Sequence, residues 1–221
     1  MIQLGESLCI AKGGKRACYR DPNDLNRCIK VYLPRKTPGD QRRNDPWWKQ
    51  FRPAACYDEN IRDLREISGA YAKNSQLVQK HIPRVYGIVS TSEGPGLSME
   101  LIQDLDGSIS RSAKQYTIEM GITRESIRAI NELHDFLEKH RISLRDAFPH
   151  NIAYRRQEDN RLEAVVIDGL GSSSILPFEK RIRSVHRKQL KKRIARLHKG
   201  LNQTFLDSET LANSDKGMLK K

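Results

Sequence analysis

The chain has few aromatics, few cysteines and no long apolar run. Phe, Trp and Tyr together make up 6% of its 221 residues. They are not interleaved with basic residues as single-stranded nucleic-acid platforms require. The four cysteines, Cys9, Cys18, Cys28 and Cys56, form no C-x-x-C pair. That excludes the common zinc and dithiol redox motifs, and reduced, mostly buried thiols of a cytosolic protein are the expectation. No apolar stretch reaches bilayer-spanning length. The start, Met1-Ile-Gln-Leu-Gly-Glu, has neither a charged leader nor an apolar core, so no secretory signal is expected. His134 and His140 lack an H-E-x-x-H or comparable metal spacing and read as packing or surface residues.

Negative charge is also short, and the formal net charge is +13. Such an excess repels itself unless it serves an anionic partner, such as nucleotide phosphates, an acidic membrane leaflet, a phosphorylated glycolipid or nucleic acid. Apolar residues are 37% of the chain and recur periodically. The length suits one large domain or two small lobes sharing a cleft.

In chain order, a strand over 8–11 turns at Gly13-Gly14 and returns over 17–19. A glycine turn lets backbone amides approach phosphates, and Lys12, Lys15 and Arg16 add positive charge there. Taken alone the stretch reads as an ordinary hairpin turn, because Gly-Gly is a generic turn signal. A strand over 27–33 carries Lys30 between Ile29 and Val31, and a lysine so placed usually faces solvent. Residues 34–57 hold too many prolines for a regular element. Within them Trp47, Trp48 and Phe51 read as a local anchor packed on the lobe, with an exposed partner site as the alternative.

A helix is expected over 58–74, capped by Asp58, with Ile61, Leu64, Ile67 and Tyr71 as its apolar stripe. A hairpin over 85–89 and 97–102 follows, then a polar stretch over 108–121. A second helix over 123–140 places Ile127, Ile130, Leu133 and Leu137 in the core. A basic helix is expected over 179–201, with Ile182, Val185, Leu190, Ile194, Leu197 and Leu201 as its stripe. It reads equally as a packed helix with a solvated basic face or as an attachment to an anionic surface. Residues 202–221 read as a flexible tail.

The stretch that organises the chain is Ile142-Ser-Leu-Arg-Asp-Ala-Phe-Pro-His-Asn-Ile152. Its proline argues against a continuous helix, so Asp146 and Asn151 belong to a loop that can direct a carboxylate and an amide into one cleft. Further on, Ala164-Val-Val-Ile-Asp168-Gly169 ends a β-branched run in Asp-Gly. It reads as a buried strand delivering a carboxylate at its exit. An R-D-x-x-x-x-N loop followed by such a strand resembles the catalytic core of the protein-kinase-like superfamily.

The order of parts also includes Arg27-Cys-Ile-Lys30, Ile82-Pro83-Arg84-Val-Tyr-Gly87 and Asp104-Leu-Asp-Gly107. It resembles the bacterial PhoP-regulatory-network family of YrbL type, a compact branch of that superfamily, over roughly residues 4–200. The resemblance implies an α+β, bilobal protein-kinase-like fold. Its β-rich N-lobe would span 1–103 and its reduced, mostly helical C-lobe 104–201. It implies ATP and Mg²⁺ as cofactors. Lys30 would hold the α- and β-phosphates, and Glu66 would fix that lysine, with Asp63 and Glu59 as alternatives. Gly13, Gly14 and Lys15 would cover the phosphates, and Glu100 and Ile102 of the hinge would meet the adenine. Asp146 would orient or deprotonate the acceptor hydroxyl, and Asn151 and Asp168 would bind the metal.

Several departures from the kinase pattern bear on function. The glycine turn is not a full G-x-G-x-x-G, Asp168-Gly169-Leu170 stands for Asp-Phe-Gly, and Phe148 stands where protein kinases usually have lysine. No A-P-E segment follows, and little chain remains for docking a peptide. The expectation is therefore a cytoplasmic, ATP-dependent phosphotransferase acting on a hydroxyl of a non-protein, envelope-related substrate such as an anionic sugar or glycolipid. Peripheral membrane contact would run through 179–201. An ATP-binding pseudokinase acting as a regulatory module is the alternative, and a nucleic-acid binder using the basic helix is a less favoured third.

Overall fold

The computed structural model describes residues 1–53, 56–72, 75–172 and 182–218. The chain divides into two compact units, one of Met1–Gln79 with Pro83–Leu101 and one of Lys80–Ile82 with Ile102–Lys221. The architecture is mixed α+β.

The first unit contains β1 (Cys9–Lys12), β2 (Arg16–Asp21), β3 (Asp24–Tyr32), β4 (Val85–Thr91) and β5 (Gly94–Glu100). They form one antiparallel sheet in the order β1-β2-β3-β5-β4. Leu4, Ala17, Tyr19, Ile29 and Val31 make a core cluster on it. In β3, Lys30 lies opposite Cys18 of β2 and Leu97 of β5. Ile29, Lys30 and Val31 are all buried, with Lys30 only 9% exposed. It is not the solvent-facing lysine that a two-faced sheet usually carries.

Residues 34–57 are more regular than their prolines imply. A short helix α1 (Pro38–Asn44) starts with a Thr37–Asp40 capping box, and α2 (Trp47–Gln50) follows with Pro46 at its N-cap. Proline at the first helical position loses no hydrogen bond, because that N–H has no intrahelical partner. The anchor reading of the aromatics is overturned. Trp47, Trp48 and Phe51 are 70%, 61% and 79% exposed.

The helix α3 (Glu59–Tyr71) is capped by Asp58, whose side chain accepts from Ile61 N. Its buried face is not the expected stripe. Asn60, Asp63, Ile67 and Ala70 are buried, while Ile61, Leu64 and Tyr71 are half-buried. The cause is Arg16, a buried cation whose Nη1 donates to Asn60 Oδ1 (2.9 Å) and Asp63 Oδ2 (2.8 Å). A buried guanidinium needs such partners, and they turn the polar edge of α3 inward. The unit ends its helices with α4 (Ser75–Gln79).

The second unit holds α5 (Ala113–Met120) and α6 (Arg124–Lys139), each begun by a capping box, at Ser112/Gln115 and Thr123/Ser126. The stretch over 108–121, which had looked merely polar, thus contains a helix. In α6, Ile130, Leu133 and Leu137 are buried as expected and Phe136 is buried with them, but Ile127 is 41% exposed and Ser126 and Ala129 take the core-facing positions. A hairpin of β6 (Ile152–Arg156) and β7 (Leu162–Val166) pairs Ile152 with Val166. Last comes α7 (Arg183–Met218). Leu190, Ile194, Leu197 and Leu201 are buried along it, Ile182 just before it is exposed, and His186 joins the buried set. The expected helix start at 179–181 lies outside the described residues. The helix continues past residue 202 to Met218.

Candidate functional site

The R-D-x-x-x-x-N loop follows α6 directly, and Arg141 takes a left-handed conformation (φ 52°) at the turn. Buried Leu144 and Ala147 pin the loop into the unit. Pro149–Asn151 closes it as a single 3-10 turn that runs straight into β6.

The loop is stitched to the Asp-Gly segment after β7. Arg145 N (2.7 Å) and Asp146 N (3.3 Å) both donate to Gly169 O. Ile167 N (2.9 Å) and Asp168 N (3.4 Å) both donate to Asn151 O, and Gly171 N donates to Ser143 O at 2.8 Å. A bridge pairs Leu144 with Leu170. Within the loop Asn151 Nδ2 donates to Asp146 O at 2.9 Å. That bond leaves the Oδ1 of Asn151 as an oxygen donor for another group.

Gly169 is required here. Its φ is +81°, and a Cβ would stand 2.9 Å from both Cβ and O of Asp146. The structure thus brings Asp146, Asn151 and Asp168 together from two segments that the sequence separates. An amide oxygen and a carboxylate, on Asn151 and Asp168, are hard donors of the kind Mg²⁺ takes when phosphates and water complete its shell.

Arg145 is a site residue that the sequence reading did not single out. Its Nε donates to Asp146 Oδ2 at 2.6 Å, an ion pair in which the arginine is largely buried and the aspartate half exposed. The guanidinium fixes the carboxylate's orientation from the side. Phe148 is 40% exposed and stacks on His150, with ring centroids 5.5 Å apart.

Two contacts from α7 brace the same loop. His186 Nε2 lies 3.2 Å from Ile142 O. Gly200 sits so close to Pro149 that a Cβ would meet its Cδ at 3.0 Å. Neither position carries a sequence signal beyond an isolated glycine and a histidine in a basic helix.

The first unit holds the expected phosphate-side residues. Asn60 Nδ2 donates to the backbone oxygen of Lys30 at 3.2 Å and so ties α3 to β3 at that residue. Of the three α3 carboxylates, Asp63 is engaged by Arg16, and Glu59 by Lys15 (2.9 Å) and Arg16 (3.6 Å). Glu66 is half-buried on the same helix. At the glycine turn Gly13 N donates to Arg16 O at 2.8 Å, and the space around Gly14 is open. The positive charge expected there is largely compensated, because Lys12 pairs with Glu6 at 2.6 Å and Lys15 with Glu59. Glu100 N donates to Arg84 O, and its carboxylate accepts from Arg84 N, each at 2.9 Å. Ile102 O accepts from Ser110 N at 3.0 Å.

A separate concavity of about 450 Å³ opens in the second unit between Asp104–Ile109 and Arg156–Asn160. None of the candidate residues lines it. Among the described residues no helix is long and apolar enough to cross a membrane.

Fold and seam define an α+β protein of two units in which an R-D-x-x-x-x-N loop is cross-tied to an Asp-Gly segment. The sequence model of the PhoP regulatory network protein YrbL family matches residues 2–202, and the chain belongs to that family. It is 30% identical over 183 residues to the Escherichia coli (strain K12) protein named "Uncharacterized protein YrbL", a match covering 80% of this chain and 77% of that one. The Shigella flexneri protein of the same name matches with the same identity and coverage.

Proposed function

We propose that this protein is an ATP-dependent phosphotransferase of compact protein-kinase-like fold that acts on a hydroxyl of a non-protein substrate. The observation that carries the reading is the seam in which Asn151 hydrogen-bonds the backbone of both Asp146 and Asp168. Phosphoryl transfer needs little covalent chemistry from a protein. It needs an acceptor hydroxyl held in line and the phosphate charge neutralised. In this reading Asp146, steered by Arg145, accepts the hydrogen bond of the acceptor hydroxyl. Asn151 and Asp168 hold Mg²⁺, which would neutralise phosphate charge, and buried Lys30 contacts the α- and β-phosphates with Glu66 fixing it. The Gly13-Gly14 turn and Lys15 cover the phosphates, and the backbone at Glu100 and Ile102 receives the adenine. The acceptor class is an anionic sugar or glycolipid, and the site of action is the cytoplasmic face of the envelope.

The test is transfer of labelled γ-phosphate from ATP with Mg²⁺ to a fractionated bacterial lysate. Label entering a non-protein fraction with wild type, and not with Asp146→Ala, supports the reading. A second reading, an ATP-binding regulatory module without transfer, fits the family's regulatory-network name. It is favoured by the Arg145 clamp on Asp146 and by the paired lysines of the glycine turn. Saturable ATP binding with neither hydrolysis nor transfer would select it, and no ATP binding at all would end both.

A further inference from the structure

The α1–α2 hairpin is built inside out. Its polar groups are the ones satisfied within the protein. Arg42 Nε donates to Gln50 O (2.7 Å), Gln50 Nε2 to Asp45 O (2.8 Å), and Tyr57 Oη to Lys49 O (2.6 Å). These bonds fix α2 with its large apolar side chains outward. Trp47 meets Trp48 and Phe51 edge to face, at centroid distances of 6.1 and 6.2 Å. The three rings therefore form one ordered patch.

Exposed aromatics of this size are uncommon on a free surface and mark an interaction site. Their chemical setting is basic. The surrounding segment carries Arg35, Lys36, Arg42, Arg43, Lys49 and Arg52 against only Asp40 and Asp45. Both carboxylates are already engaged, Asp40 by Arg43 and the α1 cap, and Asp45 by Tyr57 Oη. Arg35, Lys36, Arg42 and Arg52 are exposed. By usual aromatic areas the patch offers on the order of 400 Å², about half of what one side of a stable protein interface buries. Tryptophan beside arginine and lysine is the composition that settles at the boundary of an anionic bilayer. There the rings enter the headgroup region and the cations meet lipid phosphates.

We propose that Trp47, Trp48 and Phe51, with the cations around them, dock this protein onto an anionic lipid surface. This site is separate from the basic α7, and it stands whether or not the protein transfers phosphate. The chain has two tryptophans, both in the patch, so intrinsic emission reads the contact without a label.

The experiment adds vesicles of phosphatidylglycerol with phosphatidylcholine, or of phosphatidylcholine alone, to the full chain. The expected result is a blue shift with the anionic vesicles, quenching by brominated lipid, and cosedimentation that falls severalfold as salt rises. Phosphatidylcholine alone should give little. The Trp47→Ala/Trp48→Ala/Phe51→Ala variant should lose at least tenfold in cosedimentation. Lys36→Glu/Arg52→Glu should weaken binding while keeping the wild-type spectrum in buffer. All of these residues are at the surface, and an unchanged far-UV circular dichroism spectrum checks the fold. No shift and no quenching in wild type would overturn the proposal. So would undiminished binding by the triple alanine variant, or a shift that grows with protein concentration in the absence of vesicles, which marks self-association.

Discussion

The seam between the loop and the Asp-Gly segment can be tested by adding one methyl group. Gly169→Ala carries two costs. At φ +81° a residue with a Cβ is strained by about 1–2 kcal/mol. The new Cβ would also stand 2.9 Å from Asp146 Cβ and O, where carbon contacts prefer roughly 3.5–4.0 Å, and relieving such overpacking costs about 1–3 kcal/mol. The second cost can be isolated by comparison with Gly107→Ala in the same unit. Gly107 has φ +78° with nothing within 4 Å, so that variant carries the conformational term alone. Thermal melts should place Gly169→Ala below Gly107→Ala by roughly 2–12 °C, taking about 2–4 °C per kcal/mol at this chain length. Hydrogen exchange gives the local readout. The Arg145 and Asp146 amides, which donate to Gly169 O, should exchange faster in Gly169→Ala and at wild-type rates in Gly107→Ala. Equal melting temperatures for the two variants, with those amides still protected, would refute the close approach and with it the geometry of the site.

Three further outcomes are expected. Gly14→Ala meets open space and lacks a left-handed φ, so it should leave the melting temperature within about 1 °C; if the turn covers phosphates, ATP affinity by calorimetry should fall severalfold. Burial pushes the His81 pKa below its ordinary value, partly offset by the hydrogen bond to Ala164 O. A depressed folded value means that the unfolded chain binds the proton first, so this contribution is complete above pH about 6.5 and is lost as pH falls from there through the folded value. Urea midpoints from pH 8 to 5 should therefore drop less in His81→Gln than in wild type. Leu197 is fully buried on α7, so Leu197→Asp should cost at least about 4 kcal/mol in urea unfolding, whereas reversing exposed Lys188, Lys191, Lys192 and Arg196 to glutamate should shift the midpoint little.

Legibility in the sequence followed the strength of local rules. The second long helix could be read because Ile130, Leu133 and Leu137 recur at helical spacing. The loop could be read because Pro149 breaks the helix where Asp146 and Asn151 sit. Lys30 was singled out by its place in the motif order, but its burial could not be read from the strand itself. The failures were tertiary. The inward turn of Asn60 and Asp63 answers a buried arginine from a strand far away in sequence, and no periodicity reports that. The hairpin of α1 and α2 was hidden by prolines that in fact start helices. The outward aromatics were misread because large rings usually go inside, and only the hydrogen bonds of Gln50 and Tyr57 reveal which face is satisfied. Arg145 lay in plain view within the motif, but that its guanidinium turns onto its own neighbour is a matter of side-chain geometry.

The last helix joins these strands of argument. A basic helix with an apolar stripe can be a structural prop or a docking surface, and sequence weighs the two equally. In the structure the prop is specific. The buried side of α7 reaches Ile142 through His186 and Pro149 through Gly200, the two ends of the loop that carries Asp146. Without a side chain, Gly200 lets the helix approach Pro149 more closely than an alanine would allow. The loop's shape therefore depends on a helix far downstream in sequence. The buried stripe is accounted for by this bracing, whatever the exposed charges do. Those charges lie on the solvent side, where their loss removes no packing. An electrostatic role for α7 and its structural role are thus separable by substitution, and the lipid contact proposed for the exposed aromatics of α2 can be tested apart from both.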